Sequence, residues 1–188
     1  MMTMEIREHR REDRAELEGL LQRTAAGDRE VLAQLYRRTR SAVYALVLSY
    51  LKNHHDAQDV TQDVFVRVWD SAAQYRPQGS PMGWLLTVAR NLALMQLRQR
   101  GRTEELDDGE WDAIPAPAEL DPADRALLQD ALAALEDRER QVVLLHAVSG
   151  LKHREIAGLL ELPLPTVLSK YHRALKKLKA RLEGDDVR

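Results

Sequence analysis

Apolar side chains recur at steps of three and four residues along most of this chain, which is the spacing of amphipathic α-helices. A charged segment without a clear stripe, residues 1–14, is interpreted as a frayed or partly helical extension. The first stripe then runs to Gly27, a residue typical of helix ends, and Asp28 is suited to cap a second helix over residues 29–51. The expected buried positions of these two helices are Leu17, Leu20, Leu21 and Ala25, then Val31, Leu32, Leu35, Val43, Leu46, Val47 and Tyr50.

The third predicted helix, residues 57–73, has two different faces, and Asp56 is expected to cap it. Its outward face carries a polar strip with an acidic first half. Acidic residues near a helix N-terminus complement the helix dipole, so dipole and solubility alone can explain the strip. A docking face for a basic partner helix explains it equally well. The inward face consists of Ala57, Val60, Val64, Phe65 and Val68, and the strip of Asp59, Gln62, Asp63 and Arg67.

A loop and a fourth helix follow, and together they have the composition of a surface for single-stranded DNA. Two prolines, a glycine and a serine mark the loop, residues 75–81, and the helix is predicted over residues 84–99. Aromatic side chains stack on bases and basic side chains pair with phosphates, and this segment offers both kinds. The alternative is an ordinary bundle helix with a solvated polar edge.

Residues 101–122 differ in composition from the segments around them, because they are acidic, contain three prolines and have few large apolar side chains. This is the composition of a flexible linker. Trp111 and Ile114 are unusual in such a segment, and we expect them to dock against a lobe or a partner rather than to lie stranded in solvent. Two further helices, residues 123–135 and 136–148, are predicted to follow.

Residues 151–182 have the pattern of a short helix, a tight turn and a longer basic helix. The turn contains Pro163 and Pro165, each of which disfavours helical geometry in the residue before it, and Pro165 suits the first position of a new helix. A helix-turn-helix places such a second helix in the DNA major groove. The alternative is a basic amphipathic helix that only covers a core. In either case the apolar stripe of the second helix is Val167, Tyr171, Ala174, Leu175, Leu178 and Leu182, and its basic residues are Lys170, Arg173, Lys176, Lys177, Lys179 and Arg181.

Composition and charge favour an all-α protein with two mildly basic lobes. Of the 188 residues 44% are apolar, with one phenylalanine and nine glycines, which favours helices over strands. The net charge of −2 hides a segregation. Residues 1–100 carry 15 basic and 12 acidic side chains, residues 101–122 one and eight, and residues 123–188 12 and 10. A nucleic-acid partner needs a local positive face rather than a positive total, so this distribution is compatible with one.

Several classes of function lack their usual residues. The chain has no cysteine, which excludes disulfides and thiolate sites and fits a reducing cytosol. No apolar run approaches the roughly 18 residues of a membrane span, so we expect a soluble cytoplasmic protein without membrane insertion. His54, His55 and His153 have no partners at metal-binding spacing and are interpreted as surface histidines. We expect no cofactor, no metal and no catalytic residue, hence no enzyme.

The order of these segments resembles that of small bacterial RNA polymerase sigma factors, the extracytoplasmic-function (ECF) class of the sigma-70 family. Three motifs, AAGDREVLAQLYRR, DAQDVTQDVFVRVW and GWLLTVARNLALMQLR, are similar to the family's sigma-2 domain. The segment LEDRERQVVLLHAVSGLKHREIAGLLELPLPTVLSKYHRALKKLKARL is similar to its sigma-4 domain. The resemblance implies an extension (1–14), a sigma-2-like bundle (15–100), an acidic linker (101–122), a sigma-4-like helix-turn-helix domain (123–183) and a tail (184–188).

The resemblance also implies a function, which is to bind core RNA polymerase and direct promoter-specific initiation. An anti-sigma factor would hold the chain inactive. The residues implied for the clamp helices of the polymerase β′ subunit are Asp59, Gln62 and Asp63, and the second lobe would also contact the β flap. Those implied for the melted −10 element are Tyr75, Arg76, Ser80, Trp84, Arg90, Asn91 and Arg98. Those implied for the −35 duplex are Thr166, Leu168, Ser169, Lys170, His172, Arg173 and Lys176.

Four positions depart from the family's usual pattern. Leu168 stands where a basic residue is common, Glu161 and Pro165 where glycines are frequent, and Met95 where an acidic residue is usual. These departures affect the expected promoter sequence more than the expected function. Two other functions stay open at this point. One is a stand-alone operator-binding regulator, and the other is a sigma-like interaction protein that engages polymerase or an anti-sigma factor without directing transcription.

Overall fold

The computed structural model of the chain describes residues 2–77, 79–101 and 122–183, with side chains described from residue 11 in the first range and from residue 126 in the last. Within these ranges all regular structure is helical, in eight α-helices and one short 3-10 helix, so the all-α prediction is confirmed. Trp111 and Ile114, for which docking was expected, lie outside the described residues.

The helices form two bundles, which we call the front lobe and the rear lobe. The front lobe consists of α1 (Met2–Ala25), α2 (Arg29–Leu51), α3 (His54–Ser71), a 3-10 helix (Ala72–Gln74) and α4 (Pro81–Arg100). The rear lobe consists of α5 (Pro122–Ala133), α6 (Asp137–Ala147), α7 (His153–Leu160) and α8 (Leu164–Glu183). Pro165 therefore lies in the first turn of α8, one position later than expected, and Leu164 before it is already helical.

Helices in the front lobe begin after short polar side chains that accept hydrogen bonds from first-turn N–H groups. Asp28 accepts from the backbone N–H groups of Glu30 and Val31 at 3.2 and 3.3 Å, as predicted. At α3 the prediction was wrong, because the cap is Asn53, whose side-chain oxygen accepts from the Asp56 N–H at 3.0 Å. Asp56 lies instead in the first turn, where the helix dipole still favours a carboxylate.

Residues 1–14 were expected to form a frayed or partly helical extension, and residues 2–14 lie in α1, which is one continuous helix from Met2. Side chains near its middle are bonded to the rest of the front lobe. Arg38 on α2 pairs with Glu16 at 2.8 Å, and Arg14 donates to the carbonyl oxygen of Gly79 at 2.7 Å. The helix ends at Ala25, and Gly27 two residues later has a φ of +89°, a conformation that favours glycine.

α2 is the central helix of the front lobe and contacts α1, α3 and α4. Five of its seven predicted core positions are buried, while Leu32 and Tyr50 are half-buried. Burying one such aliphatic side chain contributes about 1.5–3 kcal/mol, so this face is a main source of the lobe's stability. The five are Val31, Leu35, Val43, Leu46 and Val47.

In the rear lobe, the predicted apolar stripe of α8 is only partly correct. Val167 and Ala174 are buried, but Leu175 and Leu182 are 41% and 43% exposed. The helix packs on α5, α6 and α7 along only part of its circumference. The two leucines therefore lie beyond the edge of the buried face, although their spacing continues the stripe.

The two lobes share one core, although the sequence suggested two separate units joined by a flexible linker. Buried residues of α6, α7 and α8 belong to the same apolar cluster as those of the front lobe. The contact is made chiefly by α2 against α6 and by α4 against α7. Ala42, Ala45 and Ser49 on α2 face Leu144 and Leu145 on α6, and these small residues allow the two helices to approach closely.

Candidate nucleic-acid interface

The helix-turn-helix of the rear lobe presents one polar and basic face of α8 to solvent. Ser169, His172, Arg173 and Lys176 are exposed on it, at the three- and four-residue steps of a single helix face. Leu168 is 37% exposed beside them, and Thr166 in the first turn is half-buried. Arg173 donates to the Ser169 hydroxyl at 3.3 Å, which orients its guanidinium along the face.

Two other lysines of α8 point toward α6 instead. The Lys170 side chain is only 18% exposed, and its ammonium lies 3.8 Å from Glu136. Lys177 donates to the buried carboxylate of Glu139 at 2.7 Å, which also accepts the Glu136 N–H at 3.1 Å. Burial acts to raise the pKa of Glu139, but Lys177 and the Glu136 N–H outweigh it and hold that pKa below its usual value. Of the predicted −35 residues, Lys170 is thus the one that is turned away from the exposed face.

Aromatic rings from α6, α7 and α8 pack against one another beside the helix-turn-helix. The His146 and His153 rings are stacked with centroids 4.6 Å apart, and Tyr171 meets both edge-on at 5.0 and 4.6 Å. His153 was interpreted as a surface histidine, which is wrong, because it is half-buried and its Nε2 atom is buried without a hydrogen-bond partner. Burial lowers the pKa of His153, and the neighbouring His146 and His172 lower it further.

The front lobe has an open groove of about 550 Å³ between α3 and α4. Trp84 and Asn91, both predicted for the −10 element, lie in it. Of the remaining lining residues, the sequence connected Met95 with promoter choice and placed Arg67 in the strip of α3, and it assigned none of the others to this site. The sequence contained part of the signal, since positions 84, 87, 88, 91 and 95 on α4 and 67 and 71 on α3 each follow one helix face, while Gln74 lies in the 3-10 helix. The lining residues are Arg67, Ser71, Gln74, Trp84, Thr87, Val88, Asn91, Leu92 and Met95.

The loop before α4 contributes less exposed surface than its sequence suggested. Tyr75 is 7% exposed and packs edge-on against Trp84 with ring centroids 5.4 Å apart. Burial raises the pKa of Tyr75 to about 12, and the nearby Glu18 carboxylate adds to the effect. Arg76 is exposed, while Ser80 caps α4 by accepting the Gly83 N–H at 3.1 Å. Tyr75 therefore belongs to the core of the front lobe, and its contact with DNA stays a prediction.

The two arginines predicted for the −10 element have different surroundings. Arg98 is exposed. The Arg90 side chain is 14% exposed and donates to Glu161 of the rear lobe at 2.9 Å. A second contact between the lobes joins Lys52 to Asp137, also at 2.9 Å. Burial acts to raise the pKa of Asp137, but Lys52 and Arg140 outweigh it and lower that pKa.

A second face of α3 carries the strip predicted to bind a basic helix. Asp59, Gln62 and Asp63 are all exposed on it. Beside them lies an apolar groove of about 470 Å³ between α2 and α3, and Val66 in this groove is 62% exposed. The other lining residues are Arg29, Leu32, Tyr36, Gln62, Phe65 and Trp69.

Within residues 2–77, 79–101 and 122–183, no group of three or more acidic, histidine or cysteine side chains is arranged to hold a metal ion. In the same ranges, no helix is both long and apolar enough to cross a membrane.

Comparison with known proteins identifies the family. The model of sigma-70 region 2 matches residues 35–103, and that of sigma-70, region 4 matches residues 125–178. The chain is 32% identical over 177 residues to the ECF RNA polymerase sigma factor SigK of Mycobacterium tuberculosis, covering 90% of this chain and 95% of SigK. The chain is an ECF sigma factor of the sigma-70 family. The sigma factor thus has a region 2 in its front lobe and a region 4 in its rear lobe.

Other similar proteins agree with this assignment. The SigK of Mycobacterium sp. strain KMS is 31% identical over 172 residues, which is 87% of the sigma factor described here and 89% of that SigK. The solved structure of CnrH in complex with the cytosolic domain of CnrY has a TM-score of 0.60 at 26% identity, covering 88% and 96% of the two chains. The sigma factor RpoE of Bartonella quintana, solved with the anti-sigma factor NepR, supports the fold, with a TM-score of 0.66 at 24% identity over 80% and 96%.

Proposed function

We propose that this sigma factor binds core RNA polymerase and directs it to promoters whose −35 duplex contacts the rear lobe and whose melted −10 strand contacts the front lobe. One observation carries the proposal. A single chain of this family presents two separate surfaces suited to DNA, the exposed basic face of α8 and the open groove between α3 and α4. The proposed domains are residues 15–100 and 123–183, with residues 101–122 as the linker between them.

The −35 element would be read by α8 in the major groove. Arg173 and Lys176 supply positive charge for phosphates or guanine edges, and Ser169 and His172 supply hydrogen bonds. Leu168, exposed where a basic residue is common in the family, offers an apolar contact to a thymine methyl group. Lys170 has a supporting role, because its partner is Glu136.

The −10 element would be held as an unpaired strand along the α3–α4 groove. Trp84 offers an aromatic surface for stacking, Asn91 an amide for a base edge, and Arg67 a charge for the backbone. Unstacking a base costs a few kcal/mol, so a groove that holds the released base makes melting selective for sequence. Arg76, Ser80 and Arg98 flank this groove in the chain and are proposed as further contacts.

Core polymerase would be bound by both lobes. The acidic strip of α3, with Asp59, Gln62 and Asp63, suits a basic coiled coil such as the clamp helices of β′. The apolar groove beside the strip adds a surface that binding would remove from water. The rear lobe is proposed to contact the β flap.

The family assignment also supports a proposal about which partner performs the chemistry and how the sigma factor is regulated. The sigma factor is proposed to act as an initiation factor in the cytoplasm, while nucleotide addition belongs to the polymerase. CnrH, a similar protein, was solved in complex with the cytosolic domain of CnrY, and RpoE with the anti-sigma factor NepR. We extend this to an anti-sigma factor that holds the present chain inactive.

Transcription in vitro from a promoter library, with core enzyme and the purified chain, tests the proposal. The expected result is a set of discrete start sites that depend on the added chain and share −35 and −10 sequences. Absence of any chain-dependent start site would overturn it. Tight binding to duplex operators without polymerase would instead favour the stand-alone regulator.

A further inference from the structure

Three helices of the rear lobe meet at one group of side chains, which we call the ring cluster and define as His146 of α6, His153 of α7 and Tyr171 of α8. The two imidazole rings are stacked, with centroids 4.6 Å apart and planes 13° apart, and Tyr171 meets each of them edge-on. All three side chains are half-buried. At this cluster, α6 and α7 therefore contact α8 through two side chains that can take up a proton.

Tyr171 connects α8 to the interior of the molecule. It packs against the larger apolar cluster, which extends into the front lobe, and also against the smaller apolar cluster that contains Ala174. The next two residues of the helix, His172 and Arg173, are exposed on the face proposed to read the −35 duplex. Because α8 is one continuous helix, a displacement of Tyr171 also displaces these side chains.

His146 is held in place by a hydrogen bond to the backbone. Its Nδ1 atom lies 2.9 Å from the carbonyl oxygen of Leu151. A carbonyl oxygen can only accept, so Nδ1 carries a hydrogen and donates it. Leu151 is buried and lies just before α7. This bond therefore fixes the His146 ring at the start of α7, where it stacks on His153.

The site of His153 suits a neutral ring. Its Nε2 atom is buried without a hydrogen-bond partner, whereas a charged imidazole carries a hydrogen on both nitrogens. A proton on His153 would therefore bury an unpaired N–H group and a positive charge against the stacked ring. In agreement with this geometry, burial lowers the pKa of His153.

The groups that face His153 from α6 and α8 disfavour its charge. His146 of α6 and His172 of α8 both act to lower the pKa of His153, because a second positive charge nearby repels the first. Tyr171 of α8 faces it with the edge of its ring, which carries the positive end of the ring quadrupole. These two helices therefore supply repulsion rather than a counter-charge.

The nearest charged groups on α7 and α4 are engaged elsewhere. On α7, the Glu155 carboxylate accepts the backbone N–H of Lys152 at 2.8 Å. Helix α4 packs on α7, and its Arg90 pairs with Glu161 at the opposite end of α7 from His153. His153 thus lies in surroundings that accept the neutral ring and oppose the charged one.

We propose that the neutral ring cluster positions α8 for binding the −35 duplex, and that a proton on His153 opens the cluster, so that −35 binding by the rear lobe weakens at acidic pH. The effect on DNA rests on the proposed role of α8, whereas the opening of the cluster does not. His153 is thus a positioning residue, which acts on DNA through Tyr171 and α8.

Proton linkage gives the direction and the upper limit of the effect. A His153 ring released into solvent regains its ordinary pKa of 6.5, while the ring in the closed cluster has a lower one. Protons therefore favour the open cluster. The closed cluster keeps its full advantage above pH 6.5. It loses up to about tenfold in relative population for each pH unit below that value, until the pH reaches the lowered pKa.

Opening of the cluster is measured first, in the full-length chain without polymerase or DNA, by NMR of isotope-labelled histidine and tyrosine rings between pH 7.5 and pH 5.5. The Tyr171 ring signals, assigned with Tyr171→Phe, should shift with the same midpoint as those of His153. In His153→Phe, which keeps a ring but cannot take up a proton, they should stay in place. Tyr171 signals that are constant in the parent, or that shift equally in His153→Phe, would overturn the proposal.

Binding is measured next, with polymerase holoenzyme and an isolated −35 duplex at constant salt concentration, because phosphate contacts depend on salt. From pH 7.5 to pH 5.5 the parent should lose about 3- to 10-fold in affinity, and His153→Phe less than about 2-fold. His55→Phe makes the same change at an exposed position of the front lobe and should lose as much as the parent. Tighter binding by the parent at pH 5.5, or equal losses in the parent and His153→Phe, would overturn the positioning role.

Two further results remain decisive. Circular dichroism checks the folding of His153→Phe, and if it does not fold, the smaller His153→Gln, which also cannot take up a proton, replaces it in both measurements with the same expected results. If the parent holoenzyme binds the −35 duplex at neither pH, the proposed role of α8 fails and the positioning role fails with it. The NMR measurement then still decides whether a proton on His153 opens the cluster.

Discussion

Arg140 lies at the junction of α5 and α6, where its guanidinium binds the carbonyl oxygens at the end of α5. It donates to Leu132, Ala133 and Leu135 at 2.8, 3.2 and 2.7 Å, and Asp137 lies 3.1 Å away. These are carbonyls that a helix end leaves without an intrahelical partner. One side chain of α6 thus completes α5 and fixes the angle between the two helices.

Arg140→Ala is expected to lower the free energy of unfolding by about 2–4 kcal/mol, since several buried carbonyls lose a charged donor. Urea denaturation followed by circular dichroism measures this. Arg154→Ala, an exposed arginine of the same lobe, serves as the control and should change stability by less than about 0.5 kcal/mol. Equal effects of the two substitutions would contradict the capping role.

Glu139 gives the rear lobe a pH dependence whose direction is fixed by its lowered pKa. A carboxylate with a pKa lower in the folded than in the unfolded state stabilises the fold above the unfolded value, near 4.5, and loses that contribution as pH falls through the folded value. Glu139→Gln should therefore cost stability at pH 7, by about 1.5–3 kcal/mol for a buried charged hydrogen bond. It should cost less at pH 3 than at pH 7.

Unfolding in urea at both pH values, with Glu183→Gln as the exposed control, checks this prediction. The stability difference between parent and Glu139→Gln should shrink as pH falls below 4.5, the ordinary pKa of the group. A difference that stays constant with pH would show that packing of the side chain, and not its charge, stabilises the lobe.

At the level of residues, predictions of helix caps and exposed side chains were correct where one local interaction determines the outcome. They were wrong where several residues could fill the same role or where contacts distant in sequence intervene. Asp28 caps α2 as predicted, because it is the short acidic side chain immediately before that helix. At α3 both Asn53 and Asp56 were available, and the earlier residue is the cap, because its side-chain oxygen accepts the Asp56 N–H. Tyr75 was expected to face DNA because it is aromatic and in a loop, yet contacts distant in sequence, with Trp84 and α1, bury it.

At the level of helices, α8 separates residues that look equivalent in sequence. Arg173 is exposed and should contribute a specific or phosphate contact, so Arg173→Ala should weaken binding to −35 duplex by about 1–3 kcal/mol and reduce the salt slope by about one. Lys170 is 18% exposed and paired with Glu136. Lys170→Ala should leave the salt slope nearly unchanged.

Binding of an isolated −35 duplex to polymerase holoenzyme at several salt concentrations measures both effects. Core binding should be intact in both variants. Identical salt slopes for Arg173→Ala and Lys170→Ala would mean that the ion pair with Glu136 opens on DNA and that Lys170 joins the exposed face.

The acidic strip of α3 allows a control within the same helix. Asp63→Arg should weaken binding of a β′ clamp-helix fragment at least about tenfold, because it places a like charge against a basic coiled coil. Asp70→Arg makes the same charge change on an exposed residue two turns further along and should have a much smaller effect. Pull-down or titration with labelled core enzyme measures the difference. An unchanged affinity for Asp63→Arg would contradict the proposal that the strip binds the β′ clamp helices.

Periodicity predicted that α3, α4, α7 and α8 exist and which residues of α3 face outward, but it did not limit the width of each buried face. Leu175 and Leu182 continue the spacing of Val167 and Ala174 and are still exposed. How much of a helix is covered depends on its partners, which spacing does not encode. For the same reason, spacing indicates which residues share a face of α3 or of α4, but it does not indicate that the two faces form a groove together.

At the level of the whole molecule, the contact between the lobes could not be predicted from sequence. Leu46 was assigned to the core of its own lobe, and no periodic signal distinguishes a face that meets another lobe from one that meets its own. Lys52 was not singled out in the sequence, and Glu161 was noted only as standing where glycine is frequent in the family. Only their backbone conformation and their partners show that they join the lobes.

If the shared core couples the lobes, they should unfold together, and a charge placed inside the contact should uncouple them. Ala45 is 3% exposed between α2 and α6, so Ala45→Arg introduces a buried, unpaired charge there. Tryptophan fluorescence, to which Trp69 and Trp84 of the front lobe contribute, and circular dichroism, which reports both lobes, should give one coincident urea transition for the parent. The two transitions should diverge for Ala45→Arg.

Ala33→Arg, at an exposed position of the same helix, is the control and should leave the two transitions coincident. Separate transitions in the parent would show that the contact is too weak to couple the lobes.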